Sequence, residues 1–132
     1  VGASYLFLST EVVKYKDKAA ADAAIAELQS NYNACVKNKG GIERDGTFVD
    51  YTFSPLPTSD AQLVNENSRV PIRAQIGKGV TARQLLAFYQ FKGEMFTGLY
   101  IVKSGETLIS DAEVKRWFDA AGVLANRLDV KF

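Results

Sequence analysis

The strongest constraint on the fold is the order in which helix-forming and strand-forming segments follow one another. A strand-like segment opens the chain, and two helical segments then enclose five further strand-sized segments joined by short turns. Strands joined by tight turns pair antiparallel, whereas a doubly wound parallel sheet needs a helix between successive strands. The sequence therefore predicts an α+β fold of order β-α-ββ-βββ-α, an antiparallel meander with two amphipathic helices packed on it.

The first strand and the first helix follow from hydrophobic periodicity. Residues 4–15 carry apolar side chains on both parities, which predicts a strand covered on both faces for part of its length. Residues 18–38 contain neither Gly nor Pro, and Asp17 precedes them as a candidate N-cap. Gly40 and Gly41 are expected to end this helix. Its apolar stripe comprises Ala21, Ile25, Leu28, Tyr32 and Cys35.

Turn residues divide the middle of the chain. Asp45-Gly46 predicts a tight primed turn in a hairpin that ends near residue 53. Residues 54–68 hold two prolines and many short polar side chains, which predicts an exposed loop. Residues 69–77, 81–91 and 95–103 then form a three-stranded meander, in which Pro71 indicates an edge position or a bulge.

A capping box predicts the start of the last helix. Ser110 is the predicted N-cap, and Glu113 follows three residues later. Trp117 and Phe118 of this helix, with Leu28 and Tyr32 of the first, are the predicted anchors of the core. Residues 129–132 are expected to add a short edge strand. The whole chain, 1–132, is predicted to form a single domain.

Composition excludes several classes of function. The 132 residues contain no histidine, so His-based acid–base catalysis and nearly all zinc sites are excluded, and no cofactor or metal is predicted. The net charge of +1 offers no field for nucleic acid. No apolar run approaches the length of a membrane span, so we expect no membrane insertion by this segment.

Arginine and tyrosine side chains supply the leading candidate for a binding site. Arg69, Arg73 and Gln75 share one parity of a strand, and Arg83 and Tyr89 share a parity of the next strand. Guanidinium groups beside an aromatic ring form a patch suited to an anionic or sugar-like ligand. The alternative is that these residues form the solvated outer face of a two-layer sheet.

The acidic residues and the single cysteine are two further candidates for a chemical site. The acidic residues Asp50, Glu66, Glu94 and Glu106 lie near predicted strand ends, where a glycosidase-like pair would require two of them about 5–10 Å apart. Scattered surface acids are the commoner explanation. Cys35 has no histidine to activate it, which favours a small buried apolar side chain over a reactive thiol. Loss of a disulfide partner with a missing segment is the third explanation.

Two segments resemble a known family. The helix KDKAAADAAIAELQSNYNAC and the final stretch GLYIVKSGETLISDAEVKRWFDAAGVLANRL are similar to the extracytoplasmic sensor-like domains of actinobacteria. These domains occur in lipoproteins and as the outer domain of PknH-type receptor kinases. The resemblance implies an α+β fold with a cleft, an exported location, and binding without known chemistry. Family members often carry cysteine pairs, and Cys35 matches the helix cysteine but lacks its mate.

The expected function is therefore non-catalytic binding of an unknown small ligand or protein partner, outside the cytoplasm. The chain begins at Val1 rather than Met, which predicts a fragment of a longer exported or membrane-anchored protein. One sheet face and residues 54–68 are expected to form the recognition surface. One alternative is a small enzyme with a carboxylate-based site in a curved-sheet pocket, which would show a buried acid. Another is a structural, homodimerising subunit, which would show a broad exposed apolar patch.

Overall fold

The computed structural model describes residues 5–128 and confirms the α+β class and the order of elements. Six antiparallel strands form one sheet, and two helices accompany it. The strands and helices are β1 (Leu6–Lys14), α1 (Lys18–Asn38), β2 (Gly40–Ile42), β3 (Phe48–Phe53), β4 (Arg69–Ile76), β5 (Arg83–Lys92), β6 (Met95–Ser104) and α2 (Asp111–Arg127). Short 3-10 turns at Glu66–Ser68 and Gly79–Thr81 flank β4.

The strands are arranged in the order β1-β6-β5-β4-β3-β2. β1 and β2 therefore lie on opposite edges, because α1 carries the chain from one edge of the sheet to the other. β4, β5 and β6 form the predicted meander at the centre. Pro71 lies on the side of β4 that faces β3, but β3 pairs only as far as Phe53, opposite Ala74. The proline thus occupies a locally unpaired edge, as its missing N–H requires.

One face of the sheet, here called the covered face, carries the main core. Leu86 and Phe88 of β5 and Leu99 and Ile101 of β6 pack against α2 there. Leu56, Ala61 and Leu63 of the segment between β3 and β4 complete the cover. The prediction of a loop at residues 54–68, with at most one short turn, is confirmed, but its apolar side chains are partly buried instead of exposed. These three apolar residues anchor the segment on the sheet, although its prolines prevent it from joining the strand ladder.

The opposite face, here called the aromatic face, is only partly covered. Its buried centre comprises Ile76, Leu85, Ala87 and Val102. Around this centre lie half-buried side chains, namely Val49, Tyr51, Ile72, Tyr89 and Tyr100. α1 packs mainly against β2 and β3 at one end of this face, where the rings of Tyr32 and Phe53 meet edge to face at 5.9 Å.

Helix α1 begins as predicted but packs less deeply. Asp17 Oδ1 accepts a hydrogen bond from the Ala20 N–H at 2.8 Å, which confirms the N-cap. The left-handed residue at its end is Lys39, with φ +55°, rather than a glycine. Ala21 is the one fully buried side chain of this helix, and the rest of the stripe is half-buried. Leu28 and Tyr32 are thus not core anchors, because α1 packs mainly against β2 and β3 at one end of the sheet.

Strand β1 departs most clearly from expectation. Leu6, Phe7, Leu8 and Val12 are each at least half exposed. The predicted cover on both faces is wrong because β1 is an edge strand, and α2 lies over β5 and β6 instead. In β1, apolar residues on both parities are therefore exposed, and the pattern does not indicate burial on both faces.

The β2–β3 hairpin is confirmed, but its turn is longer than a two-residue primed turn. The Gly46 N–H donates to Glu43 O at 2.9 Å, and the Glu43 N–H donates to Thr47 O at 2.9 Å. Gly46 has φ +85°, so three residues connect the strands as a type I turn followed by a left-handed residue. Asp45 Oδ1 accepts from the Thr47 N–H and holds the loop closed.

Helix α2 begins at its predicted cap. Ser110 Oγ accepts from the Glu113 N–H at 3.2 Å, whereas the Glu113 carboxylate pairs with Lys103 Nζ at 3.0 Å instead of completing the box. Phe118 is buried and confirms its role as a core anchor; Trp117 is half-buried at the edge of the core. The predicted edge strand at 129–132 lies outside the described residues. Within residues 5–128, neither helix is long and apolar enough to span a membrane.

Gly40 supplies a test of the junction between α1 and the sheet. A Cβ at this position would lie 2.2 Å from Val49 O and 2.7 Å from Phe48 Cζ, and its φ is +154°. We expect Gly40→Ala to lower the free energy of unfolding by at least about 2 kcal/mol, measured by thermal and urea unfolding. Gly46→Ala is the matched control, since Gly46 also has positive φ but open space around it. Equal losses in both variants would contradict the steric explanation.

Candidate functional site

The five residues of the predicted binding patch do not come together. Arg69, Arg73 and Gln75 project from the covered face, since Arg73 is directly opposite Leu86 of the core. Arg83 and Tyr89 project from the aromatic face, where Tyr89 is opposite Val70. The sheet itself separates the two groups. The alternative of a solvated outer face is also wrong for the arginine side of β4, because α2 and residues 54–65 cover it.

Arg73 is a buried structural residue. The residue is 5% exposed, and its Nη1 donates to Pro55 O at 2.9 Å and to Asp111 Oδ1 at 2.8 Å. Nη2 donates to Ile109 O. The guanidinium therefore joins the segment after β3 to the start of α2 on the covered face. It is not available to a ligand.

Two glutamines that were not singled out in the sequence reinforce this arrangement. Gln90 accepts from the Val64 N–H at 3.2 Å and donates to Ala121 O at 3.0 Å, bridging the covering segment to α2. Gln84 donates to Gln75 Oε1 and to Gly105 O. Both glutamines are nearly fully buried. Their one sequence signal is a polar residue inside the apolar run of β5. Gln90 bonds through both of its amide atoms, whereas Gln84 Oε1 has no hydrogen-bond partner among the described residues.

The other two arginines of the patch also have local structural partners. Arg69 Nη1 donates to Val64 O at 2.6 Å. Arg83 Nη2 pairs with Glu43 Oε1 at 2.8 Å and ties β5 to the β2–β3 turn. Both side chains remain half-exposed. Arg83 shares the lining of a surface recess of about 540 Å³ with Arg44, but its guanidinium is paired with Glu43 there.

Tyr89 lies on the aromatic face above a glycine. A Cβ at Gly98 would come within 3.3 Å of Tyr89 Cδ1, so the absence of a side chain leaves room for the ring. The ring also stacks on Phe96 with centroids 6.1 Å apart. Burial raises the pKa of Tyr89 to about 12, and the neighbouring Tyr100 and Glu11 act in the same direction.

A polar cleft of about 560 Å³ opens where α1, residues 62–68, the β5–β6 turn and the end of α2 meet. Its polar lining is mainly amide, from Gln62, Asn65, Asn67 and Asn126. Lys18 and Asp22 on its wall pair with each other at 2.9 Å. Phe91 lines the cleft but is buried, with its ring stacked on Tyr15. The cleft therefore offers amide groups and no exposed aromatic ring.

The described residues do not bring acidic groups into a catalytic arrangement. Every Asp and Glu within residues 5–128 is exposed or half-exposed. Asp50 pairs with Lys78 at 3.8 Å, and Glu106 accepts from the Gly79 N–H, so both bond to turn residues. Among these same residues, no group of three acidic or cysteine side chains converges as metal ligands. Cys35 is free and half-exposed, not the buried side chain that was expected.

The free edge of β1 is the surface that the sequence analysis missed. Tyr5 O accepts from the Ser104 N–H, and the Tyr15 N–H donates to Glu94 O. Since the register is continuous, the odd-numbered residues bond to β6 and the even-numbered ones turn their N–H and C=O groups outward. In the described part of the chain no strand pairs with that side. We call the outward groups from Leu6 to Lys14 the β1 edge.

An apolar groove, here called the β1–α2 groove, runs beside the β1 edge on the covered face. A section of about 330 Å³ lies between Leu8 and Thr10 of β1 and the α2 side chains. Those α2 side chains are Trp117, Ala120, Val123 and Leu124. A second section extends past Leu6 to the Lys103–Glu113 ion pair. Val123 is 52% exposed, so apolar surface continues from the strand to the helix.

Comparison with known proteins identifies no family. No family model matches the chain, and no curated protein matches it. Among solved structures, an uncharacterized protein from Rhizobium leguminosarum is similar over 96% of this chain and 97% of its own, with 13% identity and a TM-score of 0.36. That likeness is too low to carry a functional argument.

The role of Arg73 can be tested by unfolding measurements. Arg73→Ala removes three hydrogen bonds and leaves the carbonyls of Pro55 and Ile109 without their donor. We expect a loss of about 2–3 kcal/mol in the free energy of unfolding, measured in urea. Arg83→Ala breaks a half-exposed ion pair and should cost about 1 kcal/mol or less. A smaller loss for Arg73→Ala than for Arg83→Ala would contradict the structural role.

The raised pKa of Tyr89 predicts a loss of stability at high pH. The unfolded phenol ionises near its ordinary pKa of 10, whereas the folded phenol stays neutral to about 12. Its contribution to stability is therefore complete below pH 10 and disappears as the pH rises toward 12. Tyr89→Phe should flatten this part of the stability profile, measured as urea midpoints from pH 9 to pH 12. An unchanged slope would show that Tyr89 ionises alike in both states.

Proposed function

We propose that this domain is a non-catalytic protein-binding domain that takes up an extended polypeptide strand along the β1 edge. The single observation that carries the proposal is a nine-residue edge strand with exposed apolar side chains, whose outward backbone groups meet no other strand within residues 5–128. Addition of a strand to such an edge supplies backbone hydrogen bonds for affinity and alternate side-chain positions for specificity.

The backbone of the β1 edge is suited to this role. Its nine residues pair with β6 in unbroken register, without a bulge or a proline. Soluble proteins normally protect such edges with prolines, bulges, inward charges or very short strands. Lys14, at the end of β1, is the one residue of this kind on the covered-face parity of the strand. Between Leu8 and Val12 the one charged side chain is Glu11, which lies on the aromatic face, so the covered-face side of this stretch is unprotected.

The side chains of the β1 edge favour a partner with apolar residues at alternate positions. Leu6, Leu8 and Val12 share the covered face and continue into the β1–α2 groove. Phe7 lies on the aromatic face, where its ring meets Tyr100 edge to face at 6.3 Å. A partner strand would bury apolar surface on both faces. Each buried leucine-sized side chain contributes roughly 1.5–3 kcal/mol.

A carboxylate-based enzyme and a small polar ligand receive less support from the described residues. An enzyme with a carboxylate-based site would be favoured by a buried acid, and residues 5–128 contain none. A small polar ligand would find amide groups in the polar cleft, but the charged pair Lys18–Asp22 there is already neutralised. A binding role at the β1 edge also agrees with the sensor-like resemblance. The family and the extracytoplasmic location stay predictions from the sequence.

A synthetic strand tests the proposal. The probe is a fluorescein-labelled nine-residue peptide in which valine alternates with threonine and lysine, titrated with the protein and followed by fluorescence anisotropy. We expect saturable binding that Thr10→Pro weakens at least tenfold. Thr10 turns its N–H outward, so the proline removes an edge donor without removing a β1–β6 hydrogen bond.

Two controls separate strand addition from general stickiness. Val80→Lys removes an apolar side chain that is 92% exposed but lies on the Gly79–Thr81 turn, away from β1, and should leave binding unchanged. The same peptide N-methylated at alternate amides cannot form the ladder and should not bind. Equal binding of the methylated peptide would overturn strand addition.

A further inference from the structure

We infer that the partner strand is β1 of a second copy of this chain, paired antiparallel about a two-fold axis at Thr10. The result is a symmetric dimer with a continuous twelve-stranded sheet. This inference rests on the proposed function, because it names the occupant of the same edge. It follows from the register, the side-chain pairs and the charges that β1 presents to itself.

The backbone register permits the two-fold axis at Thr10. Thr10 is the central residue of β1, so an axis there pairs all nine residues from Leu6 to Lys14. For two directly opposed residues, the residue number in one copy and the residue number in the second copy then add to 20. Even-numbered residues are therefore opposed to even-numbered residues. Because the even-numbered residues carry the outward N–H and C=O groups, each such pair exchanges hydrogen bonds.

The side chains match in this register. Leu8 lies opposite Val12 of the second copy on the covered face, and Phe7 lies opposite its Val13 on the aromatic face. Symmetry repeats both pairs on the other side of the axis. Apolar cross-strand pairs of this kind stabilise the pairing of two strands. The Leu8–Val12 pairs also extend the apolar floor of the β1–α2 groove.

The charges of β1 select the same register. Glu11 lies opposite Ser9 of the second copy, and Lys14 lies opposite its Leu6, so no like charges are directly opposed. An axis at Glu11 would place the two Glu11 carboxylates against each other, which is destabilising. An axis at Ser9 would place Phe7 opposite Glu11 and Leu8 opposite Thr10, and would keep Leu6 opposite Val12 as the one apolar pair within β1. The net charge of +1 per chain adds little repulsion between copies.

The shape of the sheet limits assembly to two copies. In the two-fold dimer each β1 edge is paired with the other, so neither can pair with a third copy. The opposite edge is β2, which has only three residues, Gly40–Ile42. Short edge strands resist further pairing. Growth beyond the dimer is therefore not favoured.

Sedimentation velocity over a range of protein concentrations is the first measurement. We expect a reversible transition to a species of twice 14.5 kDa, which Thr10→Pro shifts to at least tenfold higher concentration. Val80→Lys should not move the transition. Circular dichroism checks that each variant remains folded. We expect a native spectrum for Thr10→Pro, because the odd-numbered residues of β1 still bond to β6.

Disulfide trapping tests the register itself, in a Cys35→Ser background. Thr10→Cys should form a covalent dimer on oxidation, since opposed residues in a hydrogen-bonded pair lie about 5.5 Å apart at Cα, within disulfide range. Leu8→Cys alone should not, because its own copy lies four residues away along the partner strand. A mixture of Leu8→Cys and Val12→Cys should form a heterodimer of the two variants.

The outcomes distinguish this inference from the proposal on which it rests. A protein that stays monomeric but binds the alternating peptide overturns the dimer and leaves strand addition intact. The dimer inference is also overturned if the dimer is insensitive to Thr10→Pro. Disulfides between cysteines whose residue numbers do not add to 20 would overturn it as well. A monomeric protein that fails to bind the peptide overturns both.

Discussion

The central constraint in this structure is that two helices cannot cover both faces of six strands. α2 and residues 54–65 bury the covered face above β5 and β6, and α1 packs mainly against β2 and β3 on the other side. β1 lies at the margin of α2, which leaves the β1–α2 groove open between them. Its leucines and valine are exposed for this reason, and the same geometry that completes the core creates the candidate binding surface.

Buried polar groups hold the covering segment in place where the ladder cannot. Residues 54–65 have no strand partner, so their attachment depends on apolar contacts and on side chains that reach up from the sheet. Arg73 and Gln90 perform this role, and each bonds to backbone groups of the segment and to the region of α2. Arg73, which in sequence belonged to a predicted binding patch, thus stabilises the fold. A charged or amide group can do this because it hydrogen-bonds several buried backbone groups at once.

Local signals in the sequence were dependable for the elements and their ends. Asp17 and Ser110 cap the helices as predicted, and Pro71 lies where an N–H is not needed. The candidate site was less predictable. Alternation along β4 showed that Arg69, Arg73 and Gln75 share a face, but not which face would be covered. That choice depends on where α2 and residues 54–65 pack, which involves contacts distant in sequence.

By itself, the sequence determined the α+β class, the order of elements and the exclusion of histidine chemistry, because these follow from periodicity, turn residues and composition. Only the tertiary structure decided that Arg73 is internal, that residues 54–65 cover the core and that β1 is an exposed edge. The physical reason is that burial is a property of neighbours. An apolar strand has the same pattern whether it is central or at an edge, and only the strand order and the placement of the helices distinguish the two.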